Sequence, residues 1–163
     1  MYTQEQLLHI FEYKDGQLYW KNPVAKNVKV GSLAGHTNKQ GYCKIVLNNK
    51  KYFAHRLIFT MHTGLSPEMV DHIDRNPLNN NIDNLRAATR SQNISNSVLR
   101  KDSSSGVKGV NWHKKQQKWN VRVQSGKTRI NIGSFDDFEL AELVSVMARE
   151  KYHGDFACHG NTQ

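Results

Sequence analysis

The chain has few cysteines and no long apolar run. Cys43 and Cys158 are its only cysteines and lie far apart among 163 residues, so neither a disulfide framework nor a Cys-x-x-Cys zinc site is available. No apolar run approaches the roughly 20 residues that cross a bilayer, and the first residues lack the charged-then-apolar order of a signal peptide. We expect a cytoplasmic protein with free thiols, no membrane contact and no structural zinc.

Acidic residues are outnumbered by basic ones. The chain has 23 Lys and Arg against 14 Asp and Glu, a formal net charge of +9. Nucleic acid is the commonest polyanionic partner of a basic protein that lacks a membrane segment. Between Lys101 and Ile130 the chain carries eight Lys or Arg against Asp102 alone. We expect this segment to supply most of the long-range attraction to nucleic acid.

The length permits one ordinary domain or two small ones. Residues 103–106 read Ser-Ser-Ser-Gly, the composition of a flexible joint. This predicts an N-terminal domain over 1–100, a linker over 101–105 and a C-terminal domain over 106–158.

Local patterns predict short elements of both kinds in the N-terminal domain. Thr3 and Gln6 form a capping box for a helix over 3–11, and Asp15-Gly16 predicts a turn that leads into a strand. A hairpin is expected over 41–53 with its turn at 48–51, and a helix over 55–62 that ends at Gly64. Ser91 can cap a short helix with Asn93 on its first turn.

The segment Val70-Asp71-His72-Ile73-Asp74 carries the strongest chemical signal. It is followed by the Asn-rich run from Asn76 to Asn84 and by Ser91-Gln92-Asn93. A carboxylate, an imidazole and amide side chains are thereby grouped within about one hairpin and one helical turn. Phosphodiester cleavage needs an activated water and a cation to stabilise charge on the phosphate, and these residue types can supply both.

With Asp71-His72, Asn84 and Asn93 set side by side, the sequence resembles the HNH endonucleases, especially the phage and intron-encoded homing type. The likeness extends over most of residues 1–97, through Gly41-Tyr42, His55-Arg56-Leu57, Asn80, Asn84-Leu85-Arg86 and Gln92-Asn93 in the family's order. It implies an α+β fold with a ββα-metal (His-Me finger) core over about 68–97, in which one divalent cation lies between a hairpin and a helix.

The resemblance also implies a role for each matching residue. His72 would be the general base, since a neutral imidazole has an ordinary pKa of about 6.5 and can accept a proton at physiological pH. Asp71 and Asn93 would be the protein ligands of Mg²⁺ or Mn²⁺, with phosphate and water completing the coordination. Asn84 would pin the loop and orient His72. Because neighbouring residues of a regular strand point to opposite faces, we expect Asp71 near a strand end or bulge.

Several other residues near this motif are candidates for contact with the DNA backbone. The start of a helix binds phosphate through its backbone N–H groups, which favours Arg56 and, less strongly, His55. Guanidinium groups bind phosphate through paired hydrogen bonds, which favours the arginines around the site. The guanidinium candidates are Arg75, Arg86 and Arg90. Asn76, Asn79, Asn80 and Asn81 are expected to be turn formers, and Asp74 a turn or supporting carboxylate rather than a ligand.

The C-terminal domain shows strand alternation followed by a helical pattern. Residues 119–124 and 128–132 alternate around a turn at 125–127, and a helix is expected from about 138 to 152 with Ala141, Val144, Ala148 and Tyr152 on its inner face. That face should cover the apolar side of the hairpin at Val121, Val123, Ile130 and Ile132. Parity places Trp119 with the core valines and leaves a polar, cationic ribbon of Asn120, Arg122, Gln124, Arg129 and Asn131 on the opposite side.

From about Ser105 to Phe156 the chain resembles the ethylene-response-factor-type, integrase-like DNA-binding domain. The likeness depends on Gly106 to Trp112, Lys118-Trp119, Gly133-Ser134-Phe135 and the helix that follows. It implies a three-stranded antiparallel sheet, packed on one helix, whose exposed face enters the major groove of double-stranded DNA. The residues expected to contact DNA are Lys108, Asn111, Trp112, Lys114, Lys118, Arg122, Arg129 and Asn131. The plant target sequence does not transfer, because groove-facing positions such as Asn111 and Arg122 differ.

The sequence therefore predicts a site-specific, metal-dependent DNA endonuclease of the homing type, acting in the cytoplasm of the host cell if phage-encoded. It leaves the oligomeric state open, with a monomer favoured over an oligomer. Two alternatives stay open: a non-catalytic, sequence-specific DNA-binding regulator on a nuclease scaffold, and a non-specific nuclease. The sequence leaves open the recognition site, the physiological metal and whether one strand or both are cut.

Overall fold

The computed structural model describes residues 2–99 and 102–160. The chain divides into two compact units, Met1–Thr89 and Arg90–Gln163. This division falls before the linker expected over 101–105, whose first residue, Lys101, lies outside the described residues. A contact across the expected linker explains the difference. The Lys108 ammonium group donates hydrogen bonds to the carbonyl oxygens of Ser95 (2.8 Å) and Ser97 (2.5 Å), which ties the segment after residue 90 to the second unit.

The first unit mixes short helices with small antiparallel sheets. Its elements in chain order are α1 (Gln4–Ile10), β1 (Phe11–Lys14), β2 (Gln17–Trp20), β3 (His36–Thr37), β4 (Cys43–Leu47), β5 (Lys50–Phe53), α2 (Ala54–Thr63), β6 (Met69–His72), a 3-10 turn (Ile82–Asn84) and β7 (Leu85–Ala88). β1 pairs with β2, β4 lies between β3 and β5, and β6 pairs with β7, all antiparallel.

Local chemistry explains where several of these elements begin and end. The predicted capping box is present, with the Thr3 hydroxyl accepting from the Gln6 amide and the Gln6 side chain accepting from the Thr3 amide. Gly64 ends α2 in the left-handed conformation, also as predicted. The hairpin turn is tighter than the one expected over 48–51, because Asn48 and Asn49 both adopt positive φ and let β5 begin at Lys50.

The core of the first unit surrounds α2. Leu57 and Ile58 of this helix are buried in one cluster with α1 and the strands, whose most enclosed members are Leu7, Phe11, Leu18, Ile45 and Leu47. Apolar burial of this kind contributes about 1.5–3 kcal/mol for each large side chain. The cluster extends to Val70 and Leu85 on the β6–β7 hairpin, so the strand that carries Asp71 and His72 is attached to the main core.

The second unit is a three-stranded sheet with one long helix. Its elements are α3 (Arg90–Ser95), β8 (Val110–His113), β9 (Lys118–Ser125), β10 (Thr128–Phe135), α4 (Phe138–His153) and a 3-10 turn (Gly154–Phe156). β9 is the central strand, antiparallel to both neighbours. Asp137 caps α4 by accepting from the Leu140 amide at 2.6 Å, and Gly154 follows its last residue.

The small core of the second unit lies between the sheet and α4. Val110, Val121 and Ala141 are its most buried members, and Trp119 packs against them as parity predicted. The helix face differs from the expected one at Tyr152, which is 38% exposed. Ser145 and Arg149 are buried on α4 instead. Across the described residues, none of the helices has the length and apolar character that a bilayer crossing requires.

Candidate active site

The β6–β7 hairpin forms the frame of the site. Asp71 pairs with Arg86 and His72 with Leu85, and the strand stops at His72. Asp71 is therefore the next-to-last residue of its strand. This agrees with the prediction that Asp71 lies near a strand end, which was made so that Asp71 and His72 could face one substrate. Both side chains are buried, with 6% of Asp71 and 5% of His72 exposed.

Asp71 contacts Arg86 on the adjacent strand. Its Oδ2 lies 3.0 Å from Nε and 2.9 Å from Nη2 of the guanidinium. A buried carboxylate without a cation is costly, and the cross-strand guanidinium offsets that cost. Arg86 was expected to contact phosphate, and in this structure it contacts Asp71, the predicted metal ligand.

His72 is held by an amide and by aromatic rings. Its Nε2 lies 2.9 Å from Oδ1 of Asn80, a residue that is itself only 6% exposed. The ring of His55 lies 4.8 Å away in an edge-on arrangement, and that of Tyr42 lies 6.1 Å away, both measured between centroids. The imidazole is thus confined on several sides, which reduces the number of orientations it can adopt.

His55 is part of this enclosure. It is buried at the start of α2, and its ring stacks on that of Phe53 with the centroids 5.4 Å apart. Burial, together with the nearby His72 and Arg56, lowers the pKa of His55 to about 3. His55 is therefore neutral at physiological pH, and its burial removes it from the candidates for contact with the DNA backbone.

Asn84 pins the loop that follows β6. Its Nδ2 donates to Oδ1 of Asp74 and to the carbonyl oxygen of Asn79, both at 2.8 Å, and its Oδ1 accepts from the Asp74 amide at 3.0 Å. Burial raises the pKa of Asp74, but hydrogen bonds from Asn76, Asn79 and Asn84, with His72 nearby, outweigh burial and lower it. Asp74 is thus an ionised loop carboxylate. The side chain of Asn80 lies within hydrogen-bond distance of the His72 ring, while the amide of Asn84 bonds to the loop.

The oxygen donors fit a hard divalent cation. Within the described residues, no three or more His, Cys, Asp or Glu side chains are grouped so that they could hold a metal ion. Asp71 offers one buried carboxylate, and Asn93 would add an amide oxygen, a donor set that suits Mg²⁺ or Mn²⁺ completed by phosphate and water. Because Oδ2 of Asp71 is paired with Arg86, a cation would share this carboxylate with the guanidinium. Asn93 is half-buried on α3 in the second unit, and its approach to Asp71 stays a prediction.

The other basic candidates near the motif differ in their surroundings. Arg56 is half-buried, and its Nη2 donates to the carbonyl oxygen of Pro67 at 3.0 Å, which ties α2 to the following loop. Arg75 lies in the turn after His72 with a φ of 65°, and its amide donates to the His72 carbonyl oxygen. Arg90 is exposed at the start of α3. Contact of these side chains with DNA stays a prediction.

In the second unit, one face of the sheet presents exposed polar side chains. Arg122 stands opposite Asn131 and Arg129 opposite Gln124, all four exposed. The register shifts between Asn131 and Gly133, and this irregularity ends the simple alternation along β10. Beyond it Asn120, which parity placed on the same ribbon, is buried and accepts a hydrogen bond from the Ser134 hydroxyl at 2.8 Å.

The first strand and turn of this sheet hold the remaining candidates. Asn111 and Lys114 are exposed, and Trp112 is 38% exposed with its ring tilted against Trp119. Lys118 forms an ion pair with Asp136 at 3.1 Å. Lys108 differs from the others, because its ammonium group donates to the carbonyl oxygens described above. That contact is structural, and a contact of Lys108 with DNA stays a prediction.

Sequence reasoning named Asn80 in the family order but treated it as a turn former and did not predict its contact with His72. Asn80 stands in a run of Asn residues whose common use is in turns, and nothing local distinguishes it from Asn79 or Asn81. Tyr42 was noted only as part of the family order. The signal that separates these residues is burial beside His72, which depends on contacts made far along the chain.

Comparison with known proteins places the hairpin within a described family. Residues 52–94 match the family model described as HNH endonuclease, a range that includes Asp71, His72, Asn84 and Asn93. Protein 3.8 of Escherichia phage T7 is 38% identical over 88 residues, which are 54% of this chain and 72% of that protein. A protein of Acanthamoeba polyphaga mimivirus named as an uncharacterized HNH endonuclease is 34% identical over 131 residues, 78% of this chain and 67% of that protein. No solved structure matches the chain.

Proposed function

The chain belongs to the HNH endonuclease family, and on that premise we propose that it is a site-specific DNA endonuclease of the homing type that depends on Mg²⁺ or Mn²⁺. The observation that carries the proposal is the pair of buried, consecutive side chains at the end of β6, a carboxylate in Asp71 and an imidazole in His72, inside the segment that matches the family. Buried ionisable side chains of this kind are costly to fold and are characteristic of functional sites.

His72 would accept a proton from the attacking water. A neutral imidazole can do so at physiological pH, and such general-base assistance typically contributes about 10²- to 10⁴-fold in rate. Asp71 and Asn93 would hold the cation, with β6, β7 and α3 forming the ββα-metal arrangement. A bound divalent cation would supply the positive charge that stabilises the crowded phosphate and the departing 3′ oxygen. The products would carry a 5′ phosphate and a 3′ hydroxyl.

Asn84 would keep the loop between the two strands in its closed form. It bridges Asp74 and the Asn79 carbonyl oxygen, next to Asn80, whose side chain contacts the His72 ring. Arg86 would share the Asp71 carboxylate with a bound cation, and other N–H donors of its guanidinium would contact phosphate. Arg56, Arg75 and Arg90 would add contacts with the DNA backbone.

The second unit would read the DNA sequence. Its three antiparallel strands pack on one helix, and Arg122, Arg129 and Asn131 are exposed on the sheet face. Guanidinium and amide side chains on such a face can form paired hydrogen bonds with guanine and adenine in the major groove. We propose that this unit is the ethylene-response-factor-like domain, with Asn111, Trp112, Lys114 and Lys118 as further contacts. The protein would act as a monomer on double-stranded DNA in the cytoplasm of a host cell.

The proposal is tested with the purified full chain and a library of phage and host DNA fragments in Mg²⁺ or Mn²⁺. We expect cleavage at a small number of positions, and end analysis should find 5′ phosphates and 3′ hydroxyls on each cut strand. Strand-specific labelling would show whether one strand or both are cut. Intact DNA with both cations, together with tight sequence-specific binding, would overturn the endonuclease and support the regulator that keeps only the scaffold. Cleavage without preferred positions would overturn the site-specific homing type.

A further inference from the structure

The contact between His72 and Asn80 determines which ring nitrogen carries the proton. Oδ1 of Asn80 is an amide oxygen, which accepts hydrogen bonds and cannot donate them. Nε2 of His72 lies 2.9 Å from this oxygen, and a hydrogen bond between them requires the ring to donate, which favours the neutral tautomer with the N–H on Nε2. A neutral imidazole has one N–H, and Nδ1 is therefore the nitrogen able to accept a proton.

Asn80 is itself held in place from a distant part of the chain. Gly16, in the β1–β2 turn, has a φ of 79° and approaches the Asn80–Asn81 peptide so closely that an added Cβ would lie 2.9 Å from the Asn81 nitrogen and 3.1 Å from the Asn80 carbonyl carbon. Only glycine permits that approach. From the same hairpin, the Tyr13 hydroxyl oxygen accepts a hydrogen bond from the Ile82 amide at 3.1 Å.

We propose that Asn80 is a positioning residue that holds His72 in the tautomer with Nδ1 as the base, and that the β1–β2 hairpin holds Asn80 through Gly16. The inference deepens the proposed function and rests on it for the role of Nδ1. It gives the N-terminal hairpin a part in catalysis without any contact with substrate. It also distinguishes Asn80 from the Asn residues beside it, which form turns.

A turn-forming role alone would not require this arrangement. A turn Asn normally bonds its own backbone, as Asn76 and Asn79 do here by accepting from the amides two residues on. Asn80 instead places its side chain against a buried ring, where an unpaired amide would cost about 1–3 kcal/mol. The Asn80 amide and the His72 ring therefore satisfy each other's hydrogen-bonding groups, and loss of the Asn80 acceptor should change the state of the His72 ring.

The direct test is the tautomer of His72, measured by long-range ¹H–¹⁵N NMR on the ¹⁵N-histidine-labelled full chain at about pH 8, where an ordinary imidazole is neutral. The His72 signals are assigned as those missing from His72→Ala. We expect the wild type to show a protonated Nε2. Asn80→Leu, of similar size and without an acceptor, should shift the signals toward a mixture of tautomers, whereas Asn80→Asp should keep the protonated Nε2. A protonated Nδ1 in the wild type would overturn the proposal even without variants, as would an unchanged tautomer in Asn80→Leu.

Cleavage gives the second readout. Asn80→Leu should lower the single-turnover rate roughly 10- to 100-fold with unchanged DNA affinity, the usual cost of losing a group that orients a reactive side chain. Asn80→Asp should recover most of that loss. A rate that falls equally in both variants, with the wild-type tautomer in both, would show a merely structural role and contradict the proposal.

The contribution of the hairpin is tested with two matched glycine variants. Gly16 and Gly31 have nearly the same φ, 79° and 77°, but a Cβ at Gly31 meets nothing within 4 Å. Both variants to Ala carry similar backbone strain, and only Gly16→Ala should change the His72 tautomer signals and slow cleavage. Equal His72 spectra in the two variants would exclude the hairpin from the mechanism. If the wild type cleaves no DNA, the proposed function fails, yet the tautomer measurements still decide whether Asn80 positions His72.

Discussion

The two units both bury polar side chains, and they use them differently. In the first unit two buried polar side chains are paired with other side chains, Asp71 with the partly buried Arg86 and His72 with the buried Asn80. In the second unit the buried Ser145 and Arg149 both donate to a single backbone carbonyl oxygen, that of Lys108. Burial of a polar residue therefore does not identify a reactive site, whereas the identity of its partner does.

The buried polar groups of the second unit join α4 to the segment before β8. The packing there is close, since a Cβ at Gly109 would lie 2.7 Å from the Arg122 carbonyl oxygen and 3.2 Å from the Ser145 hydroxyl oxygen. Ser145 and Arg149 satisfy the Lys108 carbonyl oxygen, and burial lowers the pKa of Arg149. Its outer sheet face is left to exposed Arg and Asn side chains. On this account the first unit carries the base and the metal ligand Asp71, and the second carries the ligand Asn93 and the sequence reading.

If the chemistry belongs to the first unit, Asp71→Asn should produce the largest effect. Loss of the ligand charge should lower the cleavage rate by about 10³-fold, equivalent to several kcal/mol of transition-state stabilisation, with DNA affinity nearly unchanged. The measurement is single-turnover cleavage beside equilibrium binding. Asp83→Asn removes an exposed carboxylate from the same connection and serves as the control. Equal losses in the two variants would contradict the division of roles.

If sequence reading belongs to the second unit, Arg122→Ala and Arg129→Ala should reduce affinity for the preferred site by about 1–3 kcal/mol each and flatten the sequence preference. The cleavage rate of bound DNA should change little. Lys151→Ala, which removes one exposed charge from α4, is the control and should leave the preference intact. Competition with random DNA at fixed salt measures the outcome. A preference that survives both arginine substitutions would place sequence reading elsewhere.

His55 predicts a pH dependence specific to the first unit. Its pKa is about 3 in the folded chain against an ordinary 6.5, so between these values the unfolded state binds the extra proton and stability falls as the pH is lowered. At pH 5 the loss from this residue should be on the order of 2 kcal/mol relative to neutral pH. Thermal unfolding of the wild type and of His55→Phe across this range measures it. If the wild type and His55→Phe lose the same stability as the pH is lowered, the lowered pKa of His55 is not the cause of the loss.

The smallest expected effect concerns charge. From Gly16 to Pro67 the chain has eight Lys or Arg and no Asp or Glu. The segment 101–130, which was expected to supply most of the attraction to nucleic acid, has the same number of Lys and Arg. Lys44→Ala and Lys51→Ala should therefore each reduce the slope of log affinity against log salt by about 1 at most, without changing sequence preference. An unchanged slope in both variants would show that the salt-dependent contacts with DNA phosphates come from the second unit instead.

Features that depend on neighbouring residues could be predicted from the sequence. The capping box at Thr3 and Gln6, the helix end at Gly64 and the placement of Asp71 near a strand end all follow from local chemistry. The alternation of β9 likewise predicted the exposure of Arg122 and the packing of Trp119.

Features that depend on long-range contact could not be predicted. Asn80 differs from its neighbours only because Gly16, far earlier in the chain, presses on its peptide. Lys108 resembles a DNA-binding lysine until its carbonyl partners are known. Asn120 has the parity of the exposed ribbon, yet it is buried and bonded to Ser134 on the neighbouring strand. The division after Thr89 likewise depends on contacts that no local pattern reveals.

The role of His72 is the centre of this account, and one paired experiment tests it most directly. Wild type and His72→Ala are compared for cleavage of the preferred DNA in Mg²⁺ and for binding to the same DNA. We expect His72→Ala to cleave about 10²- to 10⁴-fold more slowly while binding with the wild-type affinity. Cleavage by His72→Ala at the wild-type rate, with binding intact, would contradict the assignment of the base and with it the proposed mechanism.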